Sequence, residues 1–399
     1  MSKIPSIALI PSGYKASKLY SVLPTDGTGD FTTTRASVAT RVNENGLIEE
    51  VAANVPRLDY SDGGCPSLLL EGTSTNLMTY SEDFSNAVWN KISGGTASIP
   101  AITSNYSTSP DGTQNADRVY IDTGAGDSSS DYSILRQKAD ITSGNDYAFS
   151  VWLKSNTGSS QVISLRLNGG AQLTEITVTT SWVKYNVAYS NSTTGNVGFG
   201  IDLRGSQSQF ADLLIYAAQL EENSYSTSYI KTVGSSQTRT ADTASGSGNS
   251  TIINSSEGVL YFEGQSFGGT NNGFITLSDG SGTNRVSLRI GYFISTLIYI
   301  QMTSSGSPQF EENYNTSGTS FNFNDFNKYA LKYKQNDCAL FLNGVKVITI
   351  SNASMPTNLS KLQFANSDGV GFPFLGNAKD LRVYTTALTD AELTNLTTI

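Results

Sequence analysis

Short runs in which apolar and polar side chains alternate recur along this chain, and they restrict it to β-structure. In the run "YAFSVWLK" the apolar residues fall on every second position: Tyr147, Phe149, Val151 and Leu153. Successive side chains of a strand point to opposite faces, so this spacing suits a strand with one buried face. Similar runs lie at 161–168, 181–189, 198–205 and 211–220, and again after residue 256. The sequence therefore predicts an all-β protein built from β-sandwiches of the jelly-roll type.

The amounts of each residue type agree with β-structure. Charged residues make up only 15% of the 399 residues, whereas the chain has 37 Gly and 20 Tyr and is rich in Ser, Thr and Asn. Strands favour aromatic and β-branched residues, and tight turns favour Gly and Asn. A single short C-terminal helix is predicted, because Thr389 and Glu392 have the spacing of a capping box.

The chain is too long for one ordinary domain, since domains usually hold about 100–200 residues. A boundary is predicted at 232–251, "TVGSSQTRTADTASGSGNST", which has the composition of a flexible linker. This gives a small N-terminal β segment at 1–75, a jelly roll at 76–231, the linker, and a second sandwich at 252–399. In the N-terminal segment, Asn45-Gly46 predicts a hairpin turn with positive φ.

What the sequence lacks excludes several classes of function. It has no histidine, which removes the Ser/His/Asp and Cys/His nucleophile systems and every zinc site that uses histidine. A net charge of −9 and a pI near 4.7, without a run of basic residues, argue against a nucleic-acid partner. No membrane insertion is expected, because the longest apolar run, at 290–302, is too short to span a bilayer and no secretion signal is present.

Three stretches resemble known families. The stretch 39–91, "ATRVNENGLIEEVAANVPRLDYSDGGCPSLLLEGTSTNLMTYSEDFSNAVWNK", resembles a segment that recurs in virion proteins of tailed bacteriophages, including head-fibre and head-spike proteins. "STSYIKTVGSSQTRTAD" at 226–242 is similar to the segment that those proteins place after a jelly roll like a carbohydrate-binding module. "KYALKYKQNDCALFLNGVKV" at 328–347 and "LGNAKDLRVYTTALTDAEL" at 375–393 are similar to concanavalin A-like, laminin G-like domains.

The resemblance implies a structural component of a phage virion, such as a head fibre, spike or decoration protein. The β-sandwiches would be displayed on the virion surface and bind host-surface glycans, while the N-terminal segment would contact other virion proteins of the capsid or tail. A homotrimer is expected by analogy with phage fibres. The chain would be made in the host cytoplasm, where Cys65 and Cys338, in different predicted domains, would stay reduced. A tail-associated receptor-binding adhesin is an alternative, and a glycoside hydrolase is a remote one.

The polar and aromatic stretch 75–91 follows the apolar run "CPSLLLE" and leads into the jelly roll. Phe84 and Trp89 are expected to pack against that sandwich, because aromatic side chains are more often part of a core than of a site. The alternative is a ligand or calcium site formed by Tyr80 and Trp89 with the carboxylates of Glu82 and Asp83.

A glycan-binding surface is predicted on the jelly roll from the alternation of side chains. Trp152 points away from the predicted core, and the same count places Arg166, Asn168, Asp202 and Arg204 on the outer faces of their strands. If these strands share a sheet, the residues form an aromatic platform with groups that can bond to sugar hydroxyls. The alternative is that this face packs against another subunit or against the N-terminal segment.

Four loop residues of the second sandwich could hold Ca²⁺: Asp279, Asn284, Asn343 and Asp368. Calcium takes carboxylate and carbonyl oxygens from loops, but no spacing here matches a twelve-residue calcium loop. The same residue types are also common turn formers. No other cofactor is expected.

No enzyme activity is expected from the second sandwich. Glycosidases need two carboxylates in one cleft. Acidic residues are available there, but they lack the strand array of acids that concanavalin A-like glycosidases show: Glu257, Glu263, Glu311 and Glu312.

Overall fold

Antiparallel β-strands make up nearly all the regular structure in the computed structural model, which describes residues 3–125, 130–167, 172–204, 208–267, 273–291, 296–369 and 371–399. The predicted all-β class is confirmed. The chain divides into two compact units. The first unit comprises Met1–Glu44, Val51–Gly72 and Thr240–Ile399, and the second comprises Asn45–Glu50 and Thr73–Arg239.

The strands are numbered along the chain. Those before residue 80 are β1 (Ile7–Leu9), β2 (Tyr14–Lys15), β3 (Lys18–Leu19), β4 (Phe31–Thr34), β5 (Ala39–Val42), β6 (Ile48–Val51), β7 (Arg57–Asp59), β8 (Ser67–Leu70) and β9 (Ser74–Asn76). The next are β10 (Trp89–Gly94), β11 (Ser98–Ser107), β12 (Ala116–Asp122), β13 (Tyr132–Ile141), β14 (Asp146–Ser155), β15 (Gln161–Leu167), β16 (Gln172–Val178), β17 (Val183–Ser190), β18 (Gly195–Arg204) and β19 (Phe210–Glu221). The last are β20 (Gln237–Arg239), β21 (Thr243–Ser245), β22 (Glu257–Ser266), β23 (Phe274–Ser278), β24 (Arg285–Ile290), β25 (Leu297–Ser304), β26 (Ser307–Asn315), β27 (Asn327–Lys334), β28 (Cys338–Leu342), β29 (Val345–Ile350), β30 (Lys361–Gln363) and β31 (Gly376–Tyr384), followed by the helix α1 (Asp390–Thr397).

The second unit is a sandwich of two five-stranded sheets. The β18 sheet has the order β10-β13-β18-β15-β16, and the β19 sheet has the order β11-β12-β19-β14-β17. Alternate residues of both sheets face one buried core; from the β18 sheet they include Leu135, Ile163, Leu165, Phe199 and Ile201, and from the β19 sheet Val119, Phe149, Val151, Leu153 and Leu213. The intervening residues therefore form the outer face of each sheet.

The first unit is a second sandwich. The β31 sheet, with the order β29-β28-β27-β22-β31-β8-β7 and with β1 also paired to β31, shares its core with the five-stranded β25 sheet, whose order is β26-β25-β24-β23-β30. The helix α1 places Leu393 on the outer face of the β31 sheet, in a small cluster with Ala330 and Phe341. Its predicted capping box is present, because Thr389 and Glu392 bond each other's backbone.

The N-terminal segment predicted at 1–75 differs most from the structure, because most of it belongs to the first unit. Strand β1 pairs with β31 through Ile7–Val383, and β8 pairs with β31 through Leu70–Gly376. Its apolar side chains are part of the main core of that unit: Ile7, Leu9, Leu19, Phe31, Leu58, Leu68 and Leu70. The sandwich of the first unit is thus completed by residues from the opposite end of the chain.

The predicted linker 232–251 is also different from expectation, because it contains β20 and β21. Strand β20 pairs with β9, and β21 pairs with β4. The small side chains allow close packing here: a Cβ on Gly248 would lie 2.6 Å from Cδ1 of Ile253, and Ser247 is fully buried. Composition alone does not separate a flexible linker from a tightly packed, extended segment.

Other local features can be compared with expectation. Gly46 has φ +76°, as the predicted turn requires. Both cysteines are free thiols, with Cys65 exposed and Cys338 buried. No helix in the described ranges is long and apolar enough to cross a membrane.

A buried cluster of ionised side chains joins distant parts of the first unit. The guanidinium of Arg57 bonds to both Glu71 and Asp242, with its Nη1 2.6 Å from Oε2 of Glu71, and Arg35 Nη1 lies 2.9 Å from Asp242 Oδ1. All four side chains are at most 7% exposed. Burial alone would lower the pKa of Arg57, but the charges and hydrogen bonds of Asp242 and Glu71 raise it above its usual value, so Arg57 stays ionised.

Asp242→Ala should destabilise the first unit by about 3–5 kcal/mol, because it leaves two buried guanidiniums without this partner. Hydrogen–deuterium exchange of β22 and β31 along a urea titration would measure the loss in this unit, because all three tryptophans lie in the second unit. Lys334→Gln is the control, since it removes a partly exposed ion pair with Glu257 in the same unit and should cost less than about 1 kcal/mol. Equal losses for the two variants would contradict the role of the buried cluster.

Candidate functional site

Phe84 and Trp89, in the 75–91 stretch, pack into the sandwich core of the second unit. They are 0% and 2% exposed, and their ring centroids lie 4.8 Å apart. The indole Nε1 of Trp89 donates to the carbonyl of Tyr80 at 2.8 Å. Glu82 accepts from the Tyr229 hydroxyl, and Asp83 caps the turn that follows it through Ser85 and Asn86. The architectural interpretation of this stretch is therefore confirmed.

Trp152 lies on the outer face of β14, as predicted, but that strand belongs to the β19 sheet. It stands opposite Tyr216 on β19 and Lys184 on β17. Its ring packs against a small buried cluster of Ile48, Tyr216, Ala217 and Tyr229, and Trp182 lies on the same cluster. Trp152 thus covers a second, minor core of this unit.

The predicted partners of Trp152 lie on the other sheet. Arg166 is on β15, and Asp202 and Arg204 are on β18, so all three belong to the β18 sheet. Asn168 lies outside the described residues. The predicted common platform is not formed, because strands that are neighbours in the sequence lie in different sheets of the sandwich. The sequence pattern predicts which face a side chain takes, but not which strands pair. The faces assigned to Trp152, Arg166, Asp202 and Arg204 were correct.

The three polar residues do come together with each other. Asp202 is 0% exposed and binds two guanidiniums, with Oδ2 2.6 Å from Arg166 Nη1 and 3.1 Å from Arg204 Nη2. The Arg204 guanidinium also lies over the ring of Tyr132, 5.2 Å from its centroid. The outer face of the β18 sheet therefore carries a fixed, mostly basic group of side chains.

Sequence reasoning missed a fourth member of this face, Arg136 on β13. In the sheet register Arg136 and Arg166 both stand opposite Gly200, one on each side of β18. The arm of Arg136 lies over Gly198, where an added Cβ would come within 2.5 Å of its Cδ. The signal in the sequence is the spacing of Arg136 and Lys138, which puts two cations on one face of the strand.

The four predicted calcium ligands act as turn residues in three separate loops, with Asp279 and Asn284 in the β23–β24 loop. Asn284 donates to Asp279 at 2.9 Å, and its Oδ1 accepts from the backbone N–H groups of Ser305 and Thr357. Asn343 lies in the β28–β29 turn with φ +48°, and Asp368 accepts from the N–H of Gly371. Across the residues that the structure describes, no group of three His, Cys, Asp or Glu side chains could hold a metal ion.

The first unit contains a groove with a volume of about 480 Å³. Its walls come from the β26–β27 connection and the β28–β29 hairpin: Tyr314, Thr319–Asn322, Asp325–Asn327, Leu342, Asn343, Val345 and Val347, with Ile399. This volume lies in the range of small-molecule sites. It would hold about two or three sugar residues.

The wall of the groove is held by asparagine side chains. Asn327 donates to the carbonyls of Asn322 and Asp325 at 2.8 and 2.7 Å, and it accepts from Asn343 at 2.8 Å. The backbone N–H of Lys328 donates to Asn343 at 2.9 Å. These bonds join the 322–325 loop to the β28–β29 turn, so the groove is preformed.

Comparisons with known proteins agree with the observed fold. Residues 265–394 match the concanavalin A-like lectin/glucanases superfamily. The first unit therefore contains a concanavalin A-like domain. No curated protein sequence matches the chain.

Solved structures are similar to parts of the chain at low identity. One is the leech intramolecular trans-sialidase complexed with 2,7-anhydro-Neu5Ac, at 21% identity over 37% of this chain and 24% of that one, with a TM-score of 0.30. Another is the carbohydrate-binding module CBM40 of Ruminococcus gnavus IT-sialidase bound to α2,3-sialyllactose, at 17% identity over 37% of this chain and 86% of the module, with a TM-score of 0.32. A CBM4 structure is 14% identical over 37% of this chain and 99% of its own, with a TM-score of 0.23. The chain spans about a quarter of the leech enzyme, and these likenesses are too distant to assign an activity.

Trp152→Ala should lower the stability of the second unit by about 2–3 kcal/mol, because it removes the ring that covers the Tyr216 and Tyr229 cluster. Thermal melting would measure this. Phe210→Ala is the matched control, since Phe210 is an aromatic residue of the same sheet that is 45% exposed and should cost about 1 kcal/mol or less. A Trp152→Ala protein that melts like the wild type would contradict the structural role.

Proposed function

We propose that this protein binds glycans and that the groove of its first unit is a saccharide site. The observation that carries the proposal is the combination, in one preformed cavity, of partly exposed rings with unpaired polar groups. Sugars present flat C–H faces that contact aromatic rings and hydroxyls that need hydrogen-bond partners. The concanavalin A-like match supports it, because that superfamily includes lectins.

The aromatic part of the groove consists of three half-buried rings, Tyr314, Phe321 and Phe326. Phe321 is fixed at 4.7 Å from Phe323 in an edge-to-face contact, and Lys379 Nζ lies 3.4 Å from the centroid of Phe326. These contacts hold the rings in place before a ligand arrives. A rigid ring loses little conformational freedom on binding, which favours affinity.

The polar part of the groove is centred on Asp325. Its carboxylate is exposed and accepts no hydrogen bond from the residues that the structure describes. A carboxylate can accept two bonds from neighbouring sugar hydroxyls, and bonds to a charged group are about twice as strong as neutral ones. Asn322 and Ser320 are exposed beside it and can bond to further hydroxyls.

Binding rather than hydrolysis is proposed for this groove. Both the retaining and the inverting mechanism use a pair of carboxyl groups. Asp325 is the one acidic side chain among the described residues that line the groove. Of the predicted acids, Glu257 pairs with Lys334, and Glu311 accepts from Gln301.

We further propose that the protein is a structural component of a phage virion that presents its β-sandwiches at the particle surface. The resemblance of 39–91 and 226–242 to virion proteins supports this. Exposed apolar side chains are frequent in the first 40 residues: Ile4, Ile10, Tyr14, Tyr20, Val22 and Val38. Such side chains favour contact with capsid or tail proteins. Antibodies against the chain should label purified particles in electron micrographs, and unlabelled particles would contradict the proposal.

A homotrimer is the proposed assembly. Several copies of a weak saccharide site act together through their high effective concentration, which suits an adhesin. Light scattering of the purified protein at micromolar concentration should give three times 42.6 kDa. A mass of 42.6 kDa would contradict trimer formation by the isolated chain.

Asp325→Ala should weaken glycan binding by about tenfold, because bonds from sugar hydroxyls to the carboxylate are lost. Wild type and variant would be compared on a glycan array, and by calorimetry with the best neutral ligand. Glu44→Gln is the control, since Glu44 is an exposed carboxylate of the same unit outside the groove lining. Unchanged binding by Asp325→Ala, or no ligand for the wild type, would overturn the assignment of the groove.

A further inference from the structure

We propose that the outer face of the β18 sheet, in the second unit, binds the carboxylate group of acidic saccharides between Arg136 and Arg166. This goes beyond the saccharide groove of the first unit, because it concerns another sandwich and another ligand chemistry. The two sites do not depend on each other. An experiment can contradict either site without affecting the other.

Arg136 is the residue that points to this site. Its guanidinium donates no hydrogen bond to any residue in the described part of the chain, and its Nε is buried from solvent without a partner. Burial lowers the pKa of Arg136, and the charge of Arg166 lowers it further, while Asp202 raises it in part. An arginine so placed would be stabilised by an anion from outside the chain.

A glycine lies between Arg136 and a second arginine in the sheet. Arg136 and Arg166 flank Gly200 in one row across three strands, so no side chain stands between the two arms. Arg166 is fixed by its bond to the buried Asp202, at 2.6 Å, which sets the position of one guanidinium. This row, a glycine with a cation on each side, is called the trough below.

The charges around the trough favour an anion. Asp202 is the one carboxylate among three guanidiniums, and its Oδ2 faces both Arg166 and Arg204. Lys138 stands opposite Gly198 on the same face and adds another positive charge. Two exposed carboxylates lie at the borders of this face: Glu175, opposite Ser164 on the edge strand β16, and Asp140, opposite Asn196 on β18. A planar carboxylate matches the fork of a guanidinium in two parallel hydrogen bonds.

A saccharide is the source of the carboxylate that best fits the rest of the molecule. The net charge of −9 repels a densely charged polymer such as nucleic acid, whereas a saccharide carries its charges one per sugar ring. Leu173 stands beside Arg166 on β16 and is 36% exposed, so it offers an apolar contact for a sugar ring.

The test compares four probes on the full chain by calorimetry: oligogalacturonate, its methyl ester, a sulfated heparin oligosaccharide and single-stranded DNA. We expect oligogalacturonate to bind and its uncharged methyl ester not to bind. Arg136→Gln should weaken oligogalacturonate binding by about tenfold and leave the melting temperature unchanged or higher, because Arg136 has no partner to lose. Arg136→Lys keeps the positive charge but lacks the planar guanidinium. Its affinity for oligogalacturonate should lie between those of the wild type and Arg136→Gln.

Three further variants distinguish binding in the trough from general charge attraction and from binding in the groove. Gly198→Ala keeps every charge but displaces the Arg136 arm, since the new Cβ would lie 2.5 Å from its Cδ, and it should weaken binding as Arg136→Gln does. Lys154→Gln removes one positive charge from the β19 sheet of the same unit and should bind as the wild type. Asp325→Ala should also bind oligogalacturonate normally, because Asp325 belongs to the groove of the first unit.

Several results would overturn the proposal. Equal binding by wild type and Arg136→Gln would show that the trough is not the site. Equal binding of the methyl ester would show that the carboxylate is not recognised. Equal binding of heparin and DNA, weakened alike by Arg136→Gln and Lys154→Gln, would show general attraction between charges. Stronger binding of the heparin oligosaccharide than of oligogalacturonate, lost in Arg136→Gln, would assign the trough to sulfate instead.

Discussion

The buried ion cluster of Arg35, Arg57, Glu71 and Asp242 is the interaction on which the first unit depends. It joins three stretches of this unit that are far apart in the sequence. The backbone N–H of Asp242 also donates to the carbonyl of Glu71, at the place where the chain leaves the unit and later returns. Closing a loop as long as 73–239 is unfavourable in entropy, although the cost rises only slowly with length. Hydrogen-bonded charges at that junction fix one geometry, because an unpaired charge there would be costly.

The sequence was informative wherever structure is local. The alternation of apolar and polar residues predicted the strands and the face that a side chain takes. Phe149, for example, lies in the core as predicted, and Trp152 lies outside it. The capping box at Thr389 and the turn at Gly46 are also local, and both are present. These features depend on a few neighbouring residues, whose geometry is set by backbone sterics and short-range hydrogen bonds.

The pairing of strands could not be predicted, because it depends on contacts between residues far apart in the chain. Trp152 was grouped with Arg166 on the assumption that β14 and β15 share a sheet, whereas β14 pairs with β17 and β19. The groove of the first unit had no signal in the sequence for the same reason, since its walls meet only after the β26–β27 connection folds beside the β28–β29 hairpin. The prediction of a flexible linker around Gly248 failed for a different reason, because small residues that pack tightly have the same composition as a linker.

The central position of β31 also decides the order in which parts of this protein become able to fold during synthesis. Strand β8 pairs with residues of β31 that are translated about 300 positions later, and β1 pairs with residues translated about 375 positions later. At a rate of roughly 5–20 residues per second, β8 waits about 15–60 s and β1 about 20–75 s for this partner to be synthesised. The stretch 73–239 emerges complete during that interval and has both of its sheets available. The jelly roll can therefore fold first, while the apolar side chains of the first 72 residues are still unpaired and need chaperones to protect them.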